Sequence, residues 1–151
     1  MHALGNDYLY FDCFTAPLEN PAALAARLSD RRKSVGGDGI VLLEKSDVAH
    51  AKMRIFNADG SEAETCGNGL RCAAKFLRDV RGVKDTPLKI ETLAGVKTLT
   101  PALNGRGETE SVCAEMGRAE FAAEKIPVLL SPDARGEVVA RQVRLRGITF
   151  E

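Results

Sequence analysis

The stretch Cys66-Gly67-Asn68-Gly69-Leu70-Arg71-Cys72-Ala73-Ala74-Lys75-Phe76-Leu77-Arg78-Asp79-Val80 decides the fold. Leu70, Ala73, Ala74, Leu77 and Val80 recur at helical spacing, so they predict a helix with one apolar stripe, which Phe76 widens. Gly82 is placed to end it. Around this helix the chain reads as strands: Tyr8 to Cys13, Ile40 to Glu44, Lys52 to Phe56, Lys89 to Leu93, Lys97 to Leu103, Ser111 to Met116 and Gln142 to Arg146. Gly95 and Asn104-Gly105-Arg106-Gly107 mark hairpin turns. A short second helix, Ala22 to Leu28, is announced by Asn20 at its cap and Pro21 in its first turn. Glu124 to Arg135, with its two prolines, reads as an irregular connection. Many strands and one strongly striped helix predict an α+β fold, a curled and mostly antiparallel sheet, barrel-like, around a central helix.

The whole chain has 151 residues, enough for one core. Lys+Arg and Asp+Glu are both 21, so no basic excess draws the chain to nucleic acid or an anionic membrane. No apolar run approaches the roughly 20 residues of a membrane span. The start, Met1-His2-Ala3-Leu4-Gly5-Asn6-Asp7, lacks a signal-peptide pattern, so a cytoplasmic location with reduced thiols is expected. Cys13, Cys66, Cys72 and Cys113 form no zinc-type pair, and the histidines are only His2 and His50. No metal site is expected, and a cysteine hydrolase would lack an obvious base.

The chemistry concentrates where the helix begins. Backbone N–H groups at a helix N-terminus have no partner within the helix and favour anions. The same field favours a thiolate, and Gly67 and Gly69 leave room for a ligand beside Cys66. A base and a carboxylate cradle in one turn suit proton removal next to a carboxylate. Cys13 and Cys113, in strands, and Cys72, on the packed helix, read as buried structural thiols. Asp59-Gly60 reads as a turn, and Asp38 as a loop residue bonding its own backbone. Gly36-Gly37-Asp38-Gly39 lacks the following Lys-Ser/Thr of a phosphate loop.

The run Asn57-Ala58-Asp59-Gly60-Ser61-Glu62-Ala63-Glu64-Thr65-Cys66-Gly67-Asn68-Gly69-Leu70-Arg71-Cys72 resembles the signature of the diaminopimelate epimerase family. Residues 1 to 8 resemble that family's opening motif, and Asp30-Arg31 with Gly36-Gly37-Asp38-Gly39 resembles a third block. The resemblance implies interconversion of LL- and meso-diaminopimelate, on the route to lysine and peptidoglycan, without a cofactor. One thiolate removes the α-proton and a second thiol delivers a proton to the opposite face. Cys66 would be one of that catalytic pair. Gly67 and Asn68 would hold the reacting carboxylate, and Asn6 and Asn57 would bond the distal amino-acid end of this small-molecule substrate.

The family places its site between two similar domains, each a curled sheet around a helix. Residues 1–151 are expected to be the first of them, with the second, and its own cysteine, outside this sequence. The chain is then expected to be inactive alone. Gly39 stands where some members have a substrate-contacting glutamine, and Ala3 where glycine is usual. Other readings are a proline or hydroxyproline racemase of the same fold and a non-catalytic substrate-binding domain. The oligomeric state is left open, a homodimer included.

Overall fold

In the computed structural model the described residues are 1–126, 139, 143–145 and 148–150. They form two compact units, Met1–Met116 and Gly117–Glu151. The first holds an eight-stranded mixed sheet with the order β1(His2–Ala3), β2(Asn6–Asp12), β3(Gly39–Glu44), β4(Ala51–Asn57), β6(Leu88–Thr92), β7(Gly95–Leu103), β8(Thr109–Ala114). A short β5 (Glu62–Ala63) folds back on β4. Neighbours are antiparallel except β2 with β3 and β4 with β6, which are parallel. Parallel neighbours need crossovers. Helix α1 (Pro21–Leu28) lies in the first and α2 (Gly67–Asp79) in the second.

Helix α2 touches β1 at one edge of the sheet and β7 and β8 at the other, so the sheet curls around it. Its buried stripe is Leu70, Ala73, Ala74 and Leu77, each fully buried against Val41, Leu43, Met53, Ile55, Leu88, Ile90 and Leu99. Strand β3 reads Gly-Ile-Val-Leu-Leu-Glu because it is covered twice. Val41 and Leu43 face the α2 core, while Ile40 and Leu42 join Ala25 of α1 and Phe56 in a second cluster on the other face. The expected stripe extends one residue too far. Val80 is 70% exposed, because α2 ends at Asp79 and the chain turns away. Gly82, at positive φ, completes that turn, and Val83 N–H reaches back to Leu77 O at 3.0 Å.

Two further expectations are corrected. Asn20 precedes α1 in the left-handed conformation and its side chain makes no capping bond, so Pro21 and the backbone alone start that helix. Cys113 is exposed rather than buried, since on the edge strand β8 it alternates outward from Val112 and Ala114. The second unit contains a 3₁₀ turn (Ala123–Lys125) and an antiparallel pair, β9 (Val143–Leu145) and β10 (Ile148–Phe150). The expected connection at Glu124 to Arg135 lies mostly outside the described residues. No helix among the described residues is long and apolar enough to cross a membrane.

Candidate active site

Strand β4 ends at Asn57 and the chain reverses through a turn in which Gly60 N–H bonds Asn57 O at 2.9 Å. Asp59 accepts from the backbone and hydroxyl of Ser61, at 2.9 and 2.6 Å. It is a turn residue, as its sequence context implies. Arg54 then clamps Glu62 through two bonds of 2.7 and 2.9 Å, which fixes β5 against β4. Three residues after the end of β5, Cys66 stands at the N-cap of α2 in an extended conformation.

The Cys66 sulfur has two polar partners. Gly69 N–H donates to Sγ at 3.4 Å, and the thiol donates to Asn6 Oδ1 at 3.5 Å. The cap bond needs a close approach, and Gly69 permits it; a Cβ there would already touch Cys66 Cβ at 3.4 Å. The Gly67 and Asn68 amides have no acceptor among the described residues. The Asn68 side chain is turned to Arg71, which donates to its Oδ1 at 2.8 Å. Tyr8, on β2, is buried beneath the sulfur; burial, and then the adjacent Cys66, push its phenol above the ordinary value. Tyr10 donates to Gly69 O at 3.1 Å, and burial raises its phenol too.

Asn6 reaches the sulfur because β2 lies beside the glycine loop that leads into β3. Asp38 N–H bonds Asp7 O at 2.7 Å and Ala58 N–H bonds Asp38 O at 3.1 Å, which stitches β2, the loop and the Asn57 turn together. Asp38 does not bond its own backbone, which corrects the reading of it as a plain loop residue. Its carboxylate accepts from Asn6 Nδ2 at 2.6 Å, from Asp7 N–H at 3.1 Å and from Arg31 at 2.9 Å. Arg31 also forks onto both oxygens of Asp7. The Asn6 bond holds the Asp38 carboxyl below its ordinary range, and the Arg31 bond does the same for Asp7.

Of the residues singled out from sequence, Cys66, Gly67, Asn68 and Asn6 lie together. Asn57 is at the same end of the sheet, across from Gly39, but its amide bonds Ser61 Oγ at 3.0 Å and it makes no bond to Cys66. A side chain at position 39 has no room, since its Cβ would fall 2.1 Å from Phe56 O. Asp38, Arg31 and Tyr8 were not read as site residues. The Gly-Gly-Asp-Gly block was visible, but nothing in it announces a parallel register against β2. His50, one of two histidines available to a hydrolase, precedes the far end of β4 and bonds Asp85 and Lys89 N–H there. A cavity of about 640 Å³ opens on the other flank of α2, among Met1, Ala3, Arg71, Cys72, Lys75 and Val112, and does not include Cys66.

A thiol-capped helix inside a curled mixed sheet defines a class, the diaminopimelate epimerase-like fold. A solved member of that class, the Bacillus anthracis phenazine biosynthesis protein of the PhzF family, is 28% identical, with a TM-score of 0.50 over 65% of this chain and 30% of its own. The family description "Diaminopimelate epimerase" matches residues 1–122. The chain belongs to the diaminopimelate epimerase family. Diaminopimelate epimerase of Methanococcus maripaludis (strain S2) is 47% identical over 129 residues, 85% of this chain and 46% of that protein. The enzyme of Desulfitobacterium hafniense is 43% identical over 154 residues, all of this chain and 53% of its own. The chain therefore spans about half the length of the curated relatives it matches.

Proposed function

We propose that this chain supplies one half of the active site of a cofactor-independent epimerase that interconverts LL- and meso-diaminopimelate, in lysine and peptidoglycan synthesis. The observation that carries this reading is the Cys66 sulfur at the start of α2, with the acceptor-free amides of Gly67 and Asn68 beside it. An α-carboxylate on those two amides brings the adjacent α-carbon to the sulfur. As the α-proton leaves for Cys66, negative charge moves onto the carboxylate, where the amides and the helix end stabilise it. Asn6 and Asn57 offer side-chain hydrogen bonds to the rest of the substrate. A substrate of the wrong hand would leave them unpaired.

Inversion needs a second acid or base on the opposite face of the α-carbon. Cys72 does not serve: it is buried and lies six residues along α2, roughly 9 Å away along the axis. Cys13 is buried with the α1 cluster, and Cys113 points outward from β8. The opposing thiol belongs in this reading to a second domain of similar build.

Diaminopimelate in deuterated buffer tests the reading. Protein containing both halves should epimerise it and place solvent deuterium at the inverted carbon. The 151-residue chain alone should not reach even about 1 turnover per second. Turnover by the isolated chain would contradict the division into halves. Binding without exchange by both preparations would leave a binding domain and contradict the epimerase.

A further inference from the structure

We infer that Asp38 is a positioning residue that sets which end of the Asn6 side-chain amide faces the Cys66 sulfur, an inference that rests on the proposed role of Cys66. The two ends of an amide differ in function: the NH₂ group only donates and the oxygen only accepts. An ionised carboxylate only accepts. The Asn6 atom 2.6 Å from Asp38 Oδ2 is therefore the nitrogen, and Oδ1 is left to face Sγ at 3.5 Å. Asp38 is itself held in place. Arg31 donates to its Oδ1 at 2.9 Å, and Asp7 N–H donates to its Oδ2 at 3.1 Å. Arg31 also clamps Asp7, the residue next to Asn6 in the chain.

The consequence falls on the sulfur. Beside the Tyr8 phenol, it receives a hydrogen bond from Gly69 N–H and is offered Asn6 Oδ1 as an acceptor. That pair of partners fits a thiol, which both accepts and donates. A thiolate at the same place would meet the Asn6 oxygen with no proton between them. The orientation held by Asp38 thus aims an acceptor at the Cys66 thiol until the incoming substrate rearranges its surroundings. An Asn6 amide turned the other way would aim a donor at the sulfur and favour the thiolate instead. Asp38 acts here without touching the sulfur, through the end of the Asn6 amide that it leaves facing Sγ.

Two measurements on the 151-residue chain test this. In the unmodified protein, the side-chain NH₂ protons of Asn6 should show nuclear Overhauser contacts to the Asp38 β-protons and none to those of Cys66. Contacts to Cys66 in their place would overturn the inference. The second uses Asp38→Asn. Arg31, a charged donor, demands an oxygen on its side more strongly than the neutral Asp7 N–H does on the other, so the new NH₂ group faces Asn6 and should turn its amide over. Iodoacetamide labelling of Cys66, relative to the exposed Cys113, should then rise at least about threefold, with Cys13 and Cys72 still protected. General loosening would expose all the thiols together. An unchanged ratio in the folded variant would overturn the inference. If Cys13 and Cys72 label as well, the variant has not folded and the contacts of the unmodified protein decide. Neither measurement contains substrate. Failure of diaminopimelate to exchange would remove the epimerase reading and leave these results standing.

Discussion

The two helices of the first unit begin in different ways. Helix α1 starts with Pro21 and a left-handed Asn20 whose side chain bonds nothing in the helix. Its purpose is packing: Ala25 is fully buried against the outer face of β3. Helix α2 starts with a sulfur as its cap and carries glycines at its first and third positions. Serine, threonine, aspartate or asparagine would cap better. A helix built only to pack has no use for cysteine there, and α2 already packs through Leu70 to Leu77. The flank of α2 supports the fold, while its tip is left to chemistry.

That division can be broken at the flank first. Leu77→Ala should cost about 2–5 kcal/mol, seen as a lower denaturant midpoint at constant slope, because Leu77 is fully buried among strands. An unchanged midpoint would mean that α2 is not the core element. At the tip, Cys66→Ala should cost about 0.5–2 kcal/mol through the lost cap, and Cys66→Ser should stay within about 0.5 kcal/mol, since serine keeps a cap. Asn20→Gly at the start of α1 should cost at most a few tenths of a kcal/mol, because there is no side-chain bond to lose and glycine accepts the positive φ of 49°.

Acid sharpens the comparison at the other end of α2. Burial would raise the Asp79 carboxyl, but hydrogen bonds from Lys75 and Thr109 outweigh it and hold the group below its ordinary range. A depressed carboxyl contributes stability above its unfolded value, near 4, and loses it as pH falls through the folded one. Asp79→Asn should therefore flatten the stability profile below about pH 4, by less than about 1 kcal/mol for so accessible a pair. A profile identical to that of the unmodified chain would show that Asp79 does not tie β8 to α2.

Much of this was legible from sequence, because local pattern carried it. The spacing of Leu70, Ala73, Ala74 and Leu77 announces a buried helix flank, and the glycines around Asn68 announce its start. The hairpins at Gly95 and Asn104 follow from turn chemistry. Asn6 and Asp38 illustrate what pattern cannot carry. They are 32 residues apart, and only the parallel pairing of β2 with β3 brings them to 2.6 Å. A parallel register leaves no mark in either strand alone. Cys113 was misplaced because an alternating strand has two faces, and its own residues do not say which one the helix covers. Val80 fits the helical period, but the chain leaves the helix before the period can matter.

The central claim is that the Cys66 sulfur exchanges the α-proton of the substrate. Its most direct test is hydrogen–deuterium exchange at the α-carbon of LL-diaminopimelate, comparing Cys66→Ser with the unmodified sequence in protein that contains both halves. The account predicts a fall of at least about 100-fold in exchange, with the fold and the denaturant midpoint of the serine variant preserved. Exchange by the folded Cys66→Ser protein at the rate of the unmodified one would contradict it.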